Sequence, residues 1–353
     1  LGFFAIGPER NMSWSLAYPE LMAGSGSIDV ARLFDGGPGF DGLVTPHDYQ
    51  ARGMGGVYEP EGIADSAVLR GKLFWSEMDT RYSAVNHPDG SKGLGSARTD
   101  REWAAITWRN LASGWTRGYS SYWHHSWAVA DWFKSPDVHA TISRQIEVMR
   151  ESIGWNHETV PGIAMILDDA SVLETNGSGN FLNEAVMWEY KMGMARCGVP
   201  FRIYLFDDLS LDNFPKHRVY YFPNLFRVDD KRLEILRKKV FRDGAVVVWG
   251  PGSGISDGTV IGTDSAERLT GFDFEMLPVN AQRRILISNF AHPVTRGLPA
   301  DMVIGGPLPY GPVLMPKNCT ELGLAWAKGG NNHIGLGLRD FGKGAAQSPA
   351  GIA

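Results

Sequence analysis

Over residues 1–156, short apolar runs alternate with longer stretches of helical periodicity, the pattern of repeated βα units that build a parallel sheet. The first run is Gly2-Phe3-Phe4-Ala5-Ile6, and a helix is predicted over 28–34. The second is Gly42-Leu43-Val44-Thr45, which ends at Pro46-His47-Asp48-Tyr49; the third is Lys72-Leu73-Phe74-Trp75-Ser76-Glu77. A helix follows the third, opened by the capping box Thr99-Asp100-Arg101-Glu102 and stopped at Gly114. The fourth run, Gly118-Tyr119-Ser120-Ser121-Tyr122-Trp123, leads to a helix with Ser135 as cap, Pro136 in its first turn and Gly154 as stop. Val138, Ile142, Ile146, Met149 and Ile153 fall on one face of that helix, the spacing of a buried stripe.

After Pro161 the rhythm restarts. Strands are predicted over 163–167, 201–206 and 218–222, and helices over 183–197, stopped by Gly198, and 231–242, stopped by Gly244. Ala245-Val246-Val247-Val248-Trp249 is a continuous apolar run, as expected of a strand buried on both faces of a parallel sheet. This half reads as a doubly wound α/β domain, with further strands at Arg284-Ile285-Leu286-Ile287 and His333-Ile334-Gly335-Leu336. The boundary is placed at 156, giving domains over 1–156 and 157–353. The first has four βα units, whereas a closed (β/α)8 barrel needs eight, and four parallel strands alone leave two open edges. The expected fold is therefore a partial barrel followed by a doubly wound domain, with chain missing before Leu1 and after Ala353.

Composition narrows the function classes. The 353 residues are 43% apolar, enough for two ordinary cores. A formal charge of −5, with both signs interspersed, gives no basic stripe for a phosphate backbone, so no nucleic-acid partner is expected. No apolar run reaches the roughly 20 residues of a membrane span, so no membrane partner is expected either. The two cysteines, Cys197 and Cys319, make neither a disulfide framework nor a CxxC pair, and localisation stays open between cytoplasm and secretion. Twelve tryptophans beside 43 glycines suit a cleft that stacks on planar or sugar ligands, and suit a large core equally well.

Parallel α/β barrels keep their chemistry at the C-terminal ends of the strands. The polar residues there are Glu9, His47, Tyr49, Arg52, Glu77, Asp79, Arg81, His124 and His125. Glu77 ends a run of bulky apolar residues, where a carboxylate is partly desolvated and can attack an oxocarbenium-like centre. An ion pair of Glu77 or Asp79 with Arg81 accounts for the spacing equally well. Glu9 ends its strand and is a candidate second carboxylate, but a rim ion pair with Arg10 accounts for it better. His124 and His125 are adjacent and point to opposite sides, so no metal site is expected, nor any cofactor. In the second half, Asp168-Asp169 and Asp207-Asp208 follow strands where ligands often bind, and Gly250-Pro251-Gly252-Ser253-Gly254 is a weak candidate phosphate loop.

The segment Lys72-Leu73-Phe74-Trp75-Ser76-Glu77-Met78-Asp79-Thr80-Arg81 resembles the seventh-strand motif K-x-x-x-x-E-x-D-T-R of family 42 β-galactosidases, which presents the nucleophilic glutamate. Thr45-Pro46-His47-Asp48-Tyr49-Gln50-Ala51-Arg52-Gly53 is similar to the sixth-strand loop of that family, and Tyr122-Trp123 to the aromatic end of its eighth strand. The second half is similar to the family's trimerisation domain, a flavodoxin-like fold related to class I glutamine amidotransferases. Neither Cys197 nor Cys319 sits in the strand-to-helix turn that an amidotransferase nucleophile occupies.

The resemblance implies a (β/α)8 barrel entered near its fifth strand, a retaining glycosidase acting on β-linked galactosides or related oligosaccharides, and a homotrimer. It makes Glu77 the catalytic nucleophile. It also implies that His47, Tyr49, Arg52, Trp75, Arg81, Trp123 and His124 contact the sugar; Tyr49, Trp75, Trp123 and His124 are equally placed for packing, and Trp123 and His47, which follow strand ends directly, are the first expected contacts. The acid/base glutamate would belong to an Asn-Glu pair on the fourth strand, before Leu1, because the Asn-Glu pair in this chain, Asn183-Glu184, falls in the second half. A non-catalytic carbohydrate-binding or scaffold protein on a degenerate glycosidase fold is the alternative.

Overall fold

The computed structural model describes residues 2–4, 30–36, 41–47, 52–80, 97–124, 133–158, 160, 162–172, 190–241, 244–278, 281–282, 284–305, 309–326, 332–341 and 350–352. The chain divides into two compact units: Leu1–Val160 with Lys191–Gly198, and Pro161–Tyr190 with Val199–Ala353.

In the first unit, β1 (Gly2–Phe4), β2 (Gly42–Pro46), β3 (Leu73–Met78) and β4 (Ser120–Trp123) form one parallel sheet in chain order. Four helices belong to it: α1 (Val30–Asp35), α2 (Ala64–Leu69), α3 (Asp100–Arg117) and α4 (Pro136–Ser152). The register pairs Thr45 with Ser76, Ser76 with Ser121 and Met78 with Trp123; it also pairs Pro46 with Glu77 and Glu77 with Tyr122. Paired residues of a parallel sheet share a face, and successive residues alternate faces. Phe74, Ser76, Met78 and Trp123 therefore lie on one side, and Trp75, Glu77 and Tyr122 on the other.

The first side is the one covered by helices. Met78, Leu111 and Trp115 make one buried cluster, against which Trp108, Trp123, Val148 and Met149 pack. Ala97, Trp103, Ile106 and Val138 make another, flanked by Trp123, Phe133 and Ile142. Burying each large side chain of this kind contributes about 1.5–3 kcal/mol, so these clusters hold α3 and α4 on the sheet.

Both caps are where the sequence puts them. Thr99 accepts the Glu102 amide at 3.2 Å, and the Ser135 hydroxyl accepts the Asp137 amide at 3.2 Å. The stop of α3 is not at Gly114. The helix runs on to Arg117 and ends at Gly118, whose φ of 82° is the left-handed conformation that glycine adopts without strain. Gly114 serves a close approach instead, because a Cβ there would stand 2.9 Å from the Tyr119 carbonyl oxygen. On α4 the buried positions are Val138, Gln145 and Ser152. Ile153, expected in the stripe, is 82% exposed: it is the C-cap, beyond the last turn that faces α3.

The second unit contains a nine-stranded sheet. Its parallel part is formed by β5 (Ile163–Leu167), β6 (Phe201–Leu205), β7 (Val219–Phe222), β8 (Val246–Trp249) and β17 (Ala350–Ile352), in the order β6-β5-β7-β8-β17. β5, flanked by β6 and β7, is buried along Ala164, Met165, Ile166 and Leu167, as a strand covered on both faces must be. Val246 and Val248 of β8 are only half-buried, so the valine run alternates rather than burying uniformly.

The C-terminal part departs from a purely doubly wound domain. Between β8 and β17 the chain makes β9 (Asp273–Leu277), β10 (Ala281–Gln282), β11 (Ile285–Ile287), β12 (Val303–Ile304), β13 (Pro309–Tyr310), β14 (Val313–Lys317), β15 (Thr320–Trp326) and β16 (Asn332–Arg339). Strands β16, β15, β11 and β12 extend the sheet antiparallel beyond β17, while β9 pairs with β14 and β10 with β13. Short helices α5 (Asp169–Val172) and α8 (Asp264–Thr270) and the longer α7 (Asp230–Lys239) complete the described elements of this unit, with a 3-10 turn over Phe206–Ser210; α6 (Tyr190–Arg196) falls, but for Tyr190, in the Lys191–Gly198 segment of the first unit.

Candidate active site

Glu77 lies at the C-terminal end of β3, half-buried, on the face opposite the one against which the described helices α3 and α4 pack. Its neighbour there is Tyr122, the residue paired with it across β4, whose hydroxyl donates to Glu77 Oε2 at 2.7 Å. Among the described residues this is the carboxylate's one hydrogen bond. Burial first, then the Glu77 carboxylate and the charge of Asp79, push the Tyr122 hydroxyl well above its ordinary range, so it stays protonated and keeps donating. His124 completes the group: its ring stands edge-on to Tyr122 with centroids 6.1 Å apart, and its amide donates to the Met78 carbonyl at 3.0 Å. Sequence reading named Tyr122 only within an aromatic strand end. The signal that singles it out is register, which needs the pairing of two strands 45 residues apart.

Trp75 shares this face two residues earlier. It also lines a cavity of about 400 Å³ whose walls include Lys72, Trp115, Tyr119, Met149 and His157, at the N-terminal ends of β3 and β4; Glu77 is not among those walls. Tyr49, Arg81, Glu9 and His125 lie outside the described residues.

The remaining expected sugar contacts are placed elsewhere. Trp123 points into the helix-covered core, where its indole Nε1 is buried without a hydrogen-bond partner among the described residues. His47 is 0% exposed: its Nδ1 meets the Asn110 amide of α3 at 3.0 Å and its ring is edge-on to Tyr58 at 4.9 Å. Arg52 is 1% exposed and forms an ion pair with Asp79. Asp79 thus pairs with a residue of the preceding loop. The structure brings Glu77, Trp75 and His124 to one face; it does not bring His47, Arg52 or Trp123 to the surface of that face.

The loop after β2 is clamped from α3. Arg109 donates to the carbonyl oxygens of Gly53 at 2.8 Å and Gly56 at 3.1 Å, and to that of Arg52. Deeper on the helix side, Arg117 donates to Glu59 at 2.8 Å and through Nε to Asp65 at 3.0 Å, all three side chains being buried.

Burial first, then the charges of Arg52 and Arg109, hold His47 well below its ordinary range, so it is neutral in the folded state. Below a pH of about 6.5 the unfolded chain takes up a proton that the folded chain refuses, and stability falls by about 1.4 kcal/mol per pH unit on this account. Urea unfolding at pH 7 and pH 5 should show a steeper loss for the parent than for His47→Gln. Equal slopes would remove His47 from the acid response.

The strand ends of the second unit are filled by protein groups. Asp168, 1% exposed, receives both terminal nitrogens of Arg232 at 2.6 and 2.8 Å and also accepts from the Ser171 hydroxyl. Its amide donates to Asn224 Oδ1 and its carbonyl accepts from Asn224 Nδ2, both at 2.9 Å. The Arg232 guanidinium lies 4.6 Å from the centroid of Phe206. In the glycine loop after β8 most amides are engaged by the protein's own carbonyls. The amides of Gly250, Ser253, Gly254 and Ile255 already donate to Phe222, Gly250, Leu225 and Gly252, and a Cβ on Gly250 would stand 2.1 Å from the Pro223 carbonyl oxygen. Among the described residues no cluster of three or more His, Cys, Asp or Glu is placed to hold a metal, and no helix is long and apolar enough to cross a membrane.

No family model and no curated protein sequence matches the chain. Solved structures do. A catalytic mutant of Gan42B, a GH42 β-galactosidase from G. stearothermophilus, superposes with a TM-score of 0.55 at 11% identity, over 98% of this chain and 55% of that one. A β-galactosidase from Rahnella sp. R3 gives 0.52 at 10% identity, over 79% and 41%. One from the haloarchaeon Halorubrum lacusprofundi gives 0.50 at 15% identity, over 82% and 42%. This chain thus spans about half the length of the structures it matches, and over that span it has a mixed α/β fold like that of GH42 β-galactosidases.

Proposed function

We propose that this chain carries the nucleophile side of a retaining glycoside hydrolase of β-galactosidase type, acting on β-linked galactosides or related oligosaccharides. The observation that carries the reading is the Glu77–Tyr122 pair: a half-buried carboxylate at a strand end, oriented by a hydroxyl that stays protonated. The sequential parallel order β1-β2-β3-β4 supports a partial (β/α)8 barrel, its strands 5 to 8. The order β6-β5-β7-β8-β17 supports a flavodoxin-like core for the second unit, which we assign to trimerisation rather than catalysis.

In the reaction, Glu77 attacks the anomeric carbon, forming a carbon–oxygen bond as the bond to the leaving oxygen breaks. The leaving oxygen takes its proton from a second carboxyl group, and water later releases the sugar with retained configuration. Tyr122 holds Oε2, fixing the plane of the attacking group before the sugar arrives. The second carboxyl group, needed about 5–5.5 Å from the first, is not found beside Glu77 among the described residues, since Asp79 is engaged by Arg52. We assign it to the upstream Asn-Glu pair that the family resemblance implies. His124 and Trp75 are the residues we place against the sugar, with Tyr49 and Arg81 as further candidates.

A mechanism-based fluorogalactoside tests this directly: Glu77 displaces fluoride and is left as a stable glycosyl ester. Full-length protein incubated with it should gain one sugar on the peptide containing Glu77, read by mass spectrometry. Tyr122→Phe should label more slowly, because losing a hydrogen bond to a charged group costs about 1.5–3 kcal/mol, roughly 10- to 150-fold in rate. The other reading is a carbohydrate-binding scaffold on the same fold. That protein would bind galactosides, remain unlabelled, and lack the upstream Asn-Glu pair.

A further inference from the structure

Arg52 is too deeply buried, at 1% exposure, to touch a sugar. It is nonetheless beside the candidate nucleophile, because its ion-pair partner Asp79 stands two residues beyond Glu77. The charge of Asp79 is felt at the Tyr122 hydroxyl, as is that of Glu77. A tyrosine has one proton to donate, and two carboxylates are in its surroundings. In the structure the proton goes to Glu77, at 2.7 Å, while Asp79 is occupied by the guanidinium.

We propose that Arg52 is a positioning residue for Glu77, a role that rests on Glu77 being the nucleophile: its guanidinium engages Asp79 and leaves the Tyr122 hydroxyl to Glu77. Arg52 is itself fixed for this task, since its carbonyl oxygen accepts from Arg109, which also grips Gly53 and Gly56. Replacing the guanidinium with an apolar side chain strips Asp79 of this cation and makes it a rival acceptor and a like charge next to Glu77. A plain structural clasp between loop and strand makes a different prediction, because it fails whichever partner is removed.

Fluorogalactoside labelling of the full-length protein distinguishes the two, with kinact and Ki measured separately and folding checked by near-UV circular dichroism. Arg52→Met should lower kinact about tenfold or more while Ki stays within about twofold. Asp79→Asn and the double variant Arg52→Met/Asp79→Asn should both label within about threefold of the parent, since no rival carboxylate remains. Three variants impaired alike, or Arg52→Met at the parental rate, would overturn the proposal. If Arg52→Met does not fold, Asp79→Asn decides: parental kinact supports the role, and a tenfold loss overturns it. A parent that is never labelled at Glu77 fails at the preceding step, so loss of the nucleophile assignment is distinguishable from loss of this one.

Discussion

Glu77→Gln in the full-length protein is expected to lower kcat on an aryl β-galactoside by roughly 10³-fold or more, with little change in thermal unfolding. Gln keeps the size of the side chain and can still accept the Tyr122 hydrogen bond, so the half-buried site stays packed; what it loses is the anionic oxygen that the proposed mechanism bonds to the anomeric carbon. Chemical rescue separates a nucleophile from a residue that merely shapes the cleft. With Glu77→Gly and an activated aryl galactoside, azide can enter the vacated space, attack the anomeric carbon and expel the phenolate. The product should be the α-galactosyl azide, inverted relative to the substrate. A Gln variant at the parental rate would remove Glu77 from the chemistry.

Arg117→Met should produce the largest loss of stability in the first unit. Burial works against the guanidinium charge, and the Asp65 and Glu59 carboxylates together outweigh it, raising Arg117 well above its ordinary range. Removing one side of such a cluster costs about 3–5 kcal/mol, because the remaining charges are left buried without their counter-ion. At about 2–4 °C per kcal/mol for a domain of this size, melting should fall by roughly 6–20 °C. Arg117→Lys should recover only part of this, since one ammonium cannot reproduce the separate grips on Glu59 and Asp65. Scanning calorimetry reads both variants, and a Met variant that melts with the parent would show that the cluster contributes little.

Local signals carried much of the fold. Thr99, Ser135 and Pro136 mark helix starts because capping depends on residues within one turn, and the four strands of the first unit were legible as apolar runs. Gly114 misled for the same reason: locally it looks like a stop, and only the packing of Tyr119 explains it. In the second unit, β16, β15, β11 and β12 are short or glycine-interrupted, and their antiparallel pairing depends on partners 6 to 40 positions away rather than on pattern. The candidate site divides along similar lines. A strand end can be read from sequence, which is how Glu77 stands out, but the face a side chain takes there depends on register. His47 and Trp123 follow or end their strands as Glu77 does, yet one is buried against α3 and the other packs under the helices. The Arg52–Asp79 pair joins residues 27 apart and Arg117–Asp65 residues 52 apart, spacings that carry no sequence signal.

The Asp168–Arg232–Asn224 network sits where the parallel strands of the second unit diverge, between the ends of β5 and β7, the crevice that α/β proteins commonly leave for a small molecule. A protein that fills such a crevice with a ligand draws part of its stability from mass action, gaining RT ln(1 + [L]/Kd) and losing it when the ligand is scarce. Here the equivalent contacts are covalently tethered to the chain. Their effective concentration is constant, so this part of the unit's stability is set by sequence and does not follow the metabolite supply of its surroundings.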